Sequence, residues 1–129
     1  MNNTNRNWNI LNWNIRVMNS EDKWLAIKQK IEESDYSILC LKETKRESFD
    51  AAYIKNFCPN RINKFAFLPS VGASGGLLVA WNGSQFTGEV IAQNRFSLSV
   101  QFTSLLSNQS WILTNIYGPC DPQDKVDFI

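Results

Sequence analysis

The stretch from residue 8 to residue 42 restricts the fold more than any other part of the chain. It opens with Trp8-Asn9-Ile10-Leu11-Asn12-Trp13, a short aromatic and apolar run of the kind that forms a buried strand, ending near Asn14. A helix follows. Asn19 or Ser20 can cap it, Glu21 and Asp22 sit in the first turn where the helix dipole favours acids, and Trp24, Ile27 and Ile31 recur at helical spacing as a core-facing stripe. Residues 36–42, Tyr-Ser-Ile-Leu-Cys-Leu-Lys, form a second apolar strand. Such a strand–helix–strand unit crosses over right-handedly and leaves its strands parallel. Parallel strands finish on the same side, so Asn14 and Glu43 are expected at one sheet edge.

Beyond Glu43 the pattern predicts a short helix over 48–57, stopped by Pro59-Asn60, and then strands at 64–69, 76–82, 86–92, 96–103 and 110–117. Turn signals separate them: Gly72-Ala73-Ser74-Gly75-Gly76, Asn82-Gly83 and Ser107-Asn108. These strands read as one antiparallel meander. Phe96, Leu98, Val100 and Phe102 alternate with Ser97, Ser99, Gln101 and Thr103, which predicts one buried face that includes Phe96. Pro122 opens a polar–apolar pattern over 123–129 that reads as two turns of helix. A helix that short is marginal alone, so the chain reads either as a coding sequence cut short or as the front of a larger domain. The Asn-rich residues 1–7 are expected to be a disordered leader before one domain over 8–129, with no internal repeat or linker.

Composition removes whole classes of function. Thirteen Lys+Arg against twelve Asp+Glu leave a net charge of +1, so no overall basic field exists and any nucleic-acid contact must be local. There is no His, which excludes a His general base, Ser-His-Asp and Cys-His nucleophilic sites, and His-ligated zinc within this sequence. Cys40, Cys58 and Cys120 are widely spaced and form no C-x-x-C pair, as suits a reducing nuclear or cytoplasmic compartment. The longest apolar runs, such as Leu77 to Trp81, are too short to span a membrane, and the first residues do not resemble a secretory signal.

Few residues remain that could carry chemistry. Glu43 stands at the C-terminal end of an apolar strand, where open α/β sheets bind ligands; it reads as a hard oxygen ligand for Mg²⁺ or as a solvated acid. Asn14 reads as an amide that orients a phosphate or nucleophile, or as a turn residue. Arg16, Lys42, Lys45 and Arg46 gather on that edge as phosphate contacts or as a solvated cluster. Tyr117, ahead of Gly118-Pro119, can donate to a phosphate oxygen or pack at the rim. The Gly72–Gly76 stretch lacks the Gly-Lys-Ser/Thr ending of a P-loop and opens no helix, so it reads as a tight turn.

Taken in order, four segments resemble one superfamily: Ile10-Leu11-Asn12-Trp13-Asn14-Ile15-Arg16, Ile38-Leu39-Cys40-Leu41-Lys42-Glu43-Thr44-Lys45, Gly72-Ala73-Ser74-Gly75-Gly76-Leu77-Leu78-Val79-Ala80-Trp81, and Thr114-Asn115-Ile116-Tyr117-Gly118-Pro119. The resemblance is to the endonuclease/exonuclease/phosphatase superfamily, most of all to the apurinic-type endonuclease domain of plant non-long-terminal-repeat (LINE-like) retrotransposons. It extends from about residue 8 to residue 129.

The resemblance implies the N-terminal half of a four-layer, DNase I-like α/β (α+β) sandwich. It implies hydrolysis of a DNA phosphodiester with Mg²⁺, or Mn²⁺ in its place. Glu43 matches the metal-binding carboxylate, Asn14 the amide near metal and phosphate, and Tyr117 the tyrosine on the scissile phosphate, while Arg16, Lys45 and Arg46 would contact DNA. Lys42 stands where that family has Gln, and Val17 where Gly follows the Arg. The family's Asp-x-Asn and Ser-Asp-His motifs have no counterpart, which implies inactivity alone, a missing C-terminal half as partner, and a sheet whose inner face lacks a cover. A non-catalytic nucleic-acid-binding remnant and a phosphatase branch of the superfamily are the alternatives.

Overall fold

The computed structural model describes residues 9–72, 74–118 and 125–128; residues 1–7, expected to form a leader, and Cys120 lie outside them. In chain order the elements are β1 (Asn9–Asn14), α1 (Glu21–Glu32), β2 (Tyr36–Lys42), α2 (Ala51–Ile54), β3 (Ile62–Val71), β4 (Ser74–Asn82), β5 (Phe86–Gln93), β6 (Ser97–Ser104), β7 (Ser110–Ile116) and β8 (Lys125–Phe128). They build two four-stranded sheets, ordered β1-β2-β4-β3 and β5-β6-β7-β8.

The opening unit forms as its pattern dictates. β1 and β2 are parallel, with Asn14 opposite Lys42, and α1 is capped by Ser20, whose Oγ accepts from the Lys23 N–H at 3.4 Å. α2 is shorter than the helix expected over 48–57, because Asp50 caps it and accepts from the Tyr53 N–H at 2.8 Å, and residues 55–57 continue as turns.

The expected single meander is instead divided between the sheets. β3 and β4 form a hairpin, but β4 lies between β2 and β3 and pairs antiparallel with both. The reason is burial: Leu77, Leu78, Val79 and Ala80 are all inaccessible, and a strand apolar on both faces is stable only where both faces are covered. Only β5 to β8 form a meander.

Two cores result. Ile27 and Ile31 of α1 and Ile54 of α2 pack with Leu11, Leu39, Leu41, Leu78 and Ala80 on the outer face of the first sheet. Between the sheets, Ile38, Cys40, Leu77, Val79 and Trp81 meet Phe86, Leu98, Val100, Phe102, Trp111 and Leu113. At about 1.5–3 kcal/mol for each large side chain removed from water, this second core is a main source of stability. It also corrects the expectation of an uncovered inner face, since the chain supplies both sheets itself. The described residues thus form three layers, helix, sheet and sheet. The outer face of the second sheet carries hydroxyl pairs, Ser99 with Thr114 at 2.8 Å and Thr103 with Ser110 at 2.9 Å.

Two further expectations change. Residues 125–128 form no helix; they pair antiparallel with β7, Trp111 opposite Phe128 and Thr114 opposite Lys125. Lys-Val-Asp-Phe also fits a period of two, and the ladder offered by β7 satisfies backbone groups that a two-turn helix leaves open. Phe96 precedes β6 instead of joining its buried row and is 52% exposed. Among the described residues no helix is long and apolar enough to cross a membrane.

Candidate active site

The loops leaving β1 and β2 are joined by backbone hydrogen bonds. Ile15 N–H donates to Lys42 O at 3.0 Å and Met18 N–H to Thr44 O at 3.2 Å. Lys23 reaches back from α1 to the Ile15 carbonyl at 2.8 Å, and the Tyr53 hydroxyl donates to Met18 O at 2.9 Å while accepting from the Trp24 indole at 3.1 Å. Asn14 and Glu43 therefore share one edge, Asn14 exposed and Glu43 half-buried. Four non-glycine residues among those described have positive φ, and three of them, Arg16 (70°), Glu43 (55°) and Lys45 (55°), lie here. Each left-handed conformation costs about 1–2 kcal/mol, so the surroundings must hold these residues in place.

The glycine turn does part of that holding. Gly72, at φ 61°, lies in the reversal from β3 to β4, as expected of a turn, while Gly75, at φ 80°, is already in β4 opposite Ser70. Gly76 has another task. Its carbonyl accepts from Thr44 N–H at 3.2 Å, the Gly75 carbonyl accepts from Lys45 N–H at 2.9 Å, and Ser70 N–H donates to Arg46 O at 2.8 Å. A Cβ on Gly76 would overlap the Thr44 hydroxyl and stand 3.0 Å from the Lys45 nitrogen. The absence of a side chain thus lets the hairpin backbone lie against the loop that carries Glu43.

The cations on this edge divide into two kinds. Arg16 and Lys45 are exposed. The Arg46 guanidinium carbon lies 3.6 Å from the Tyr53 ring centroid, and its Nε donates to Ser48 O at 3.1 Å, so this side chain braces the loop against α2. Lys42 leaves the surface cluster altogether. It is buried at the end of β2, and its Nζ donates to Asn115 Oδ1 at 2.6 Å.

Asn115, which sequence reasoning placed in the fourth segment and gave no role, is the residue that joins the two sheets near this edge. Fully buried on β7, it donates through Nδ2 to Leu41 O and Leu78 O, both at 3.2 Å, and so fastens β7 of the second sheet to β2 and β4 of the first. The signal was present, because Trp111, Leu113 and Asn115 occupy one inward row and an amide there needs partners. Tyr117 follows two residues on, just past the end of β7. Tyr117 is half-buried against the inter-sheet core, and its N–H donates to Phe96 O at 2.7 Å.

As a donor set, Glu43 and Asn14 offer one carboxylate and one neutral amide. Among the described residues no three His, Cys, Asp or Glu side chains stand together to hold a metal. The set fits an ion of the Mg²⁺ type that takes one or two carboxylates and completes its shell with waters and substrate phosphate; it does not fit an all-protein cage.

No family model and no curated protein matches the sequence. Among solved structures, the chain is similar to the AP endonuclease LMAP from Leishmania major, at 16% identity and a TM-score of 0.57, over 85% of this chain and 40% of that one. The 129 residues therefore span less than half the length of that neighbour and share with it the two-sheet α/β sandwich.

Proposed function

We propose that this edge is the phosphate-binding face of a Mg²⁺-dependent DNA endonuclease of the retrotransposon type, with Mn²⁺ able to replace Mg²⁺, and that these 129 residues alone do not cut DNA. The observation that carries the reading is the shared edge of Asn14 and Glu43 at the ends of the parallel strands β1 and β2, where the Gly75-Gly76 backbone holds the Glu43 loop; Tyr117 follows β7, which Asn115 fastens to β2 and β4. A fold shared with an AP endonuclease supports the substrate class. Glu43 gives a carboxylate oxygen to the metal, Asn14 orients a phosphate oxygen or water, and the Tyr117 phenol donates to a non-bridging oxygen. Arg16 and Lys45 neutralise flanking phosphates. When bound, Mg²⁺ supplies charge stabilisation on the phosphate. Hydrolysis also needs a group that activates the water, and a sequence without His brings no His–Asp pair to do so.

The test pairs plasmid nicking with Mg²⁺-dependent binding of a labelled duplex. Supercoiled plasmid should stay intact, while Mg²⁺ should tighten duplex binding in the native chain and not in Glu43→Gln. Equal Mg²⁺ dependence in both proteins would refute the assignment of Glu43. Nicking that disappears in Glu43→Ala would overturn the claim of inactivity. The lack of His favours one second reading, a module that holds DNA without cutting; its affinity should fall with salt, with a shallower slope in Lys45→Ala.

A further inference from the structure

The hairpin between β5 and β6 ends in Asn94-Arg95-Phe96, and none of these residues belongs to the site described above. Its position is fixed by register. Ser97 pairs with Ile116, so the start of β6 lies beside the end of β7, and Phe96 O accepts from Tyr117 N–H at 2.7 Å. The turn is also closed on itself: Asn94 Oδ1 accepts from Phe96 N–H at 2.8 Å, and Asn94 N–H donates to Ser97 O at 3.0 Å. On this braced turn the Phe96 side chain is 52% exposed, with the Arg95 guanidinium carbon 5.8 Å from the ring centroid. An aromatic ring held half in water beside an arginine costs solvation energy and contributes little to either core. It is, however, the composition of a nucleic-acid stacking contact: a π-face for a base and a cation for the neighbouring phosphate.

We propose that Phe96 stacks on an unpaired base adjacent to the phosphate held at Tyr117, with Arg95 binding the next phosphate, so that the edge selects DNA carrying an exposed base. This rests on the reading of the edge as a DNA site and adds the element that recognises a base. The backbone bond between Phe96 and Tyr117 couples the two contacts, placing ring and phenol on adjacent strand ends.

The experiment uses the whole chain and fluorescence anisotropy with two probes, a labelled single-stranded oligonucleotide and the same backbone carrying abasic residues throughout. Phe96→Ala should weaken binding of the first by about fivefold or more and leave the second unchanged, while Phe96→Trp retains affinity. Arg95→Ala should weaken both and reduce the salt slope by about one. Equal binding by Phe96→Ala and the native chain would overturn the stacking role and leave the phosphate site standing. Equal losses on both probes would also overturn it, because a base-independent effect is not stacking. A native chain that binds neither probe would overturn the DNA reading itself and this inference with it.

Discussion

Replacing Gly76 by alanine perturbs the loop that carries Glu43 without altering Glu43, and Gly75 provides a control of nearly the same conformation. Gly75 has φ +80° and Gly76 φ +93°. Any side chain there incurs the left-handed penalty of about 1–2 kcal/mol. At Gly75 nothing lies within 4 Å of the added Cβ, so Gly75→Ala should cost that penalty alone. At Gly76 the Cβ overlaps the Thr44 hydroxyl and lies 3.0 Å from the Lys45 nitrogen, a backbone atom that no rotamer change can move. Relieving the overlap means displacing the loop and weakening the bonds from Thr44 N–H and Lys45 N–H, each worth about 1 kcal/mol. Gly76→Ala should therefore destabilise by about 3–4 kcal/mol, some 2 kcal/mol more than Gly75→Ala. Urea unfolding followed by tryptophan fluorescence measures both, and an unchanged m-value would show that stability alone has moved. Equal destabilisation by the two substitutions would refute the argument that close backbone approach positions the Glu43 loop.

Asn115 and Cys58 give two further expectations. Asn115→Ala removes an acceptor of the buried Lys42 Nζ and the donor to two buried carbonyls, and should cost about 2–4 kcal/mol in urea unfolding. If Asn115→Ala unfolds at the native urea midpoint, the fastening between the sheets has no energetic weight. Burial pushes the Cys58 thiol up from 9.0 to about 12, against a smaller opposing effect of Arg61. The folded state thus holds the thiol proton more tightly than the unfolded chain. The resulting stability is complete below about pH 9 and is lost as pH rises towards about 12, with a limiting slope of about 1.4 kcal/mol per pH unit. Cys58→Ala should show a flatter decline in urea midpoint between these limits, and parallel curves for the two proteins would contradict the linkage.

Much of the fold was legible because its signals are local. The helical spacing of Trp24, Ile27 and Ile31, a cap at Asn19 or Ser20, which the structure assigns to Ser20, and the apolar run of β2 each act within a few residues. The parallel rule then carried Asn14 and Glu43 to one edge, as the bond from Ile15 N–H to Lys42 O now records. Phe96 and Lys42 were not legible in this way. Strand alternation places Phe96 in the buried row, but the strand begins one residue later. Lys42 reads as a surface charge until Asn115 of a different sheet covers it.

By itself, then, the sequence determined β1, α1, β2 and most of the later strands, the parallel unit and the shared edge of Asn14 and Glu43, because hydrophobic period and chain chirality operate over short distances. Only the tertiary structure decided the division of strands between two sheets, the strand character of residues 125–128, and the fastening of β7 to β2 and β4 through Asn115. Those features depend on pairings such as Leu41 with Leu78 and Asn115 with Lys42, between residues 37 and 73 positions apart. An apolar or polar residue in a local pattern carries no mark of a partner so distant in the chain; which faces meet is decided when burial and hydrogen bonding are satisfied for the whole molecule at once.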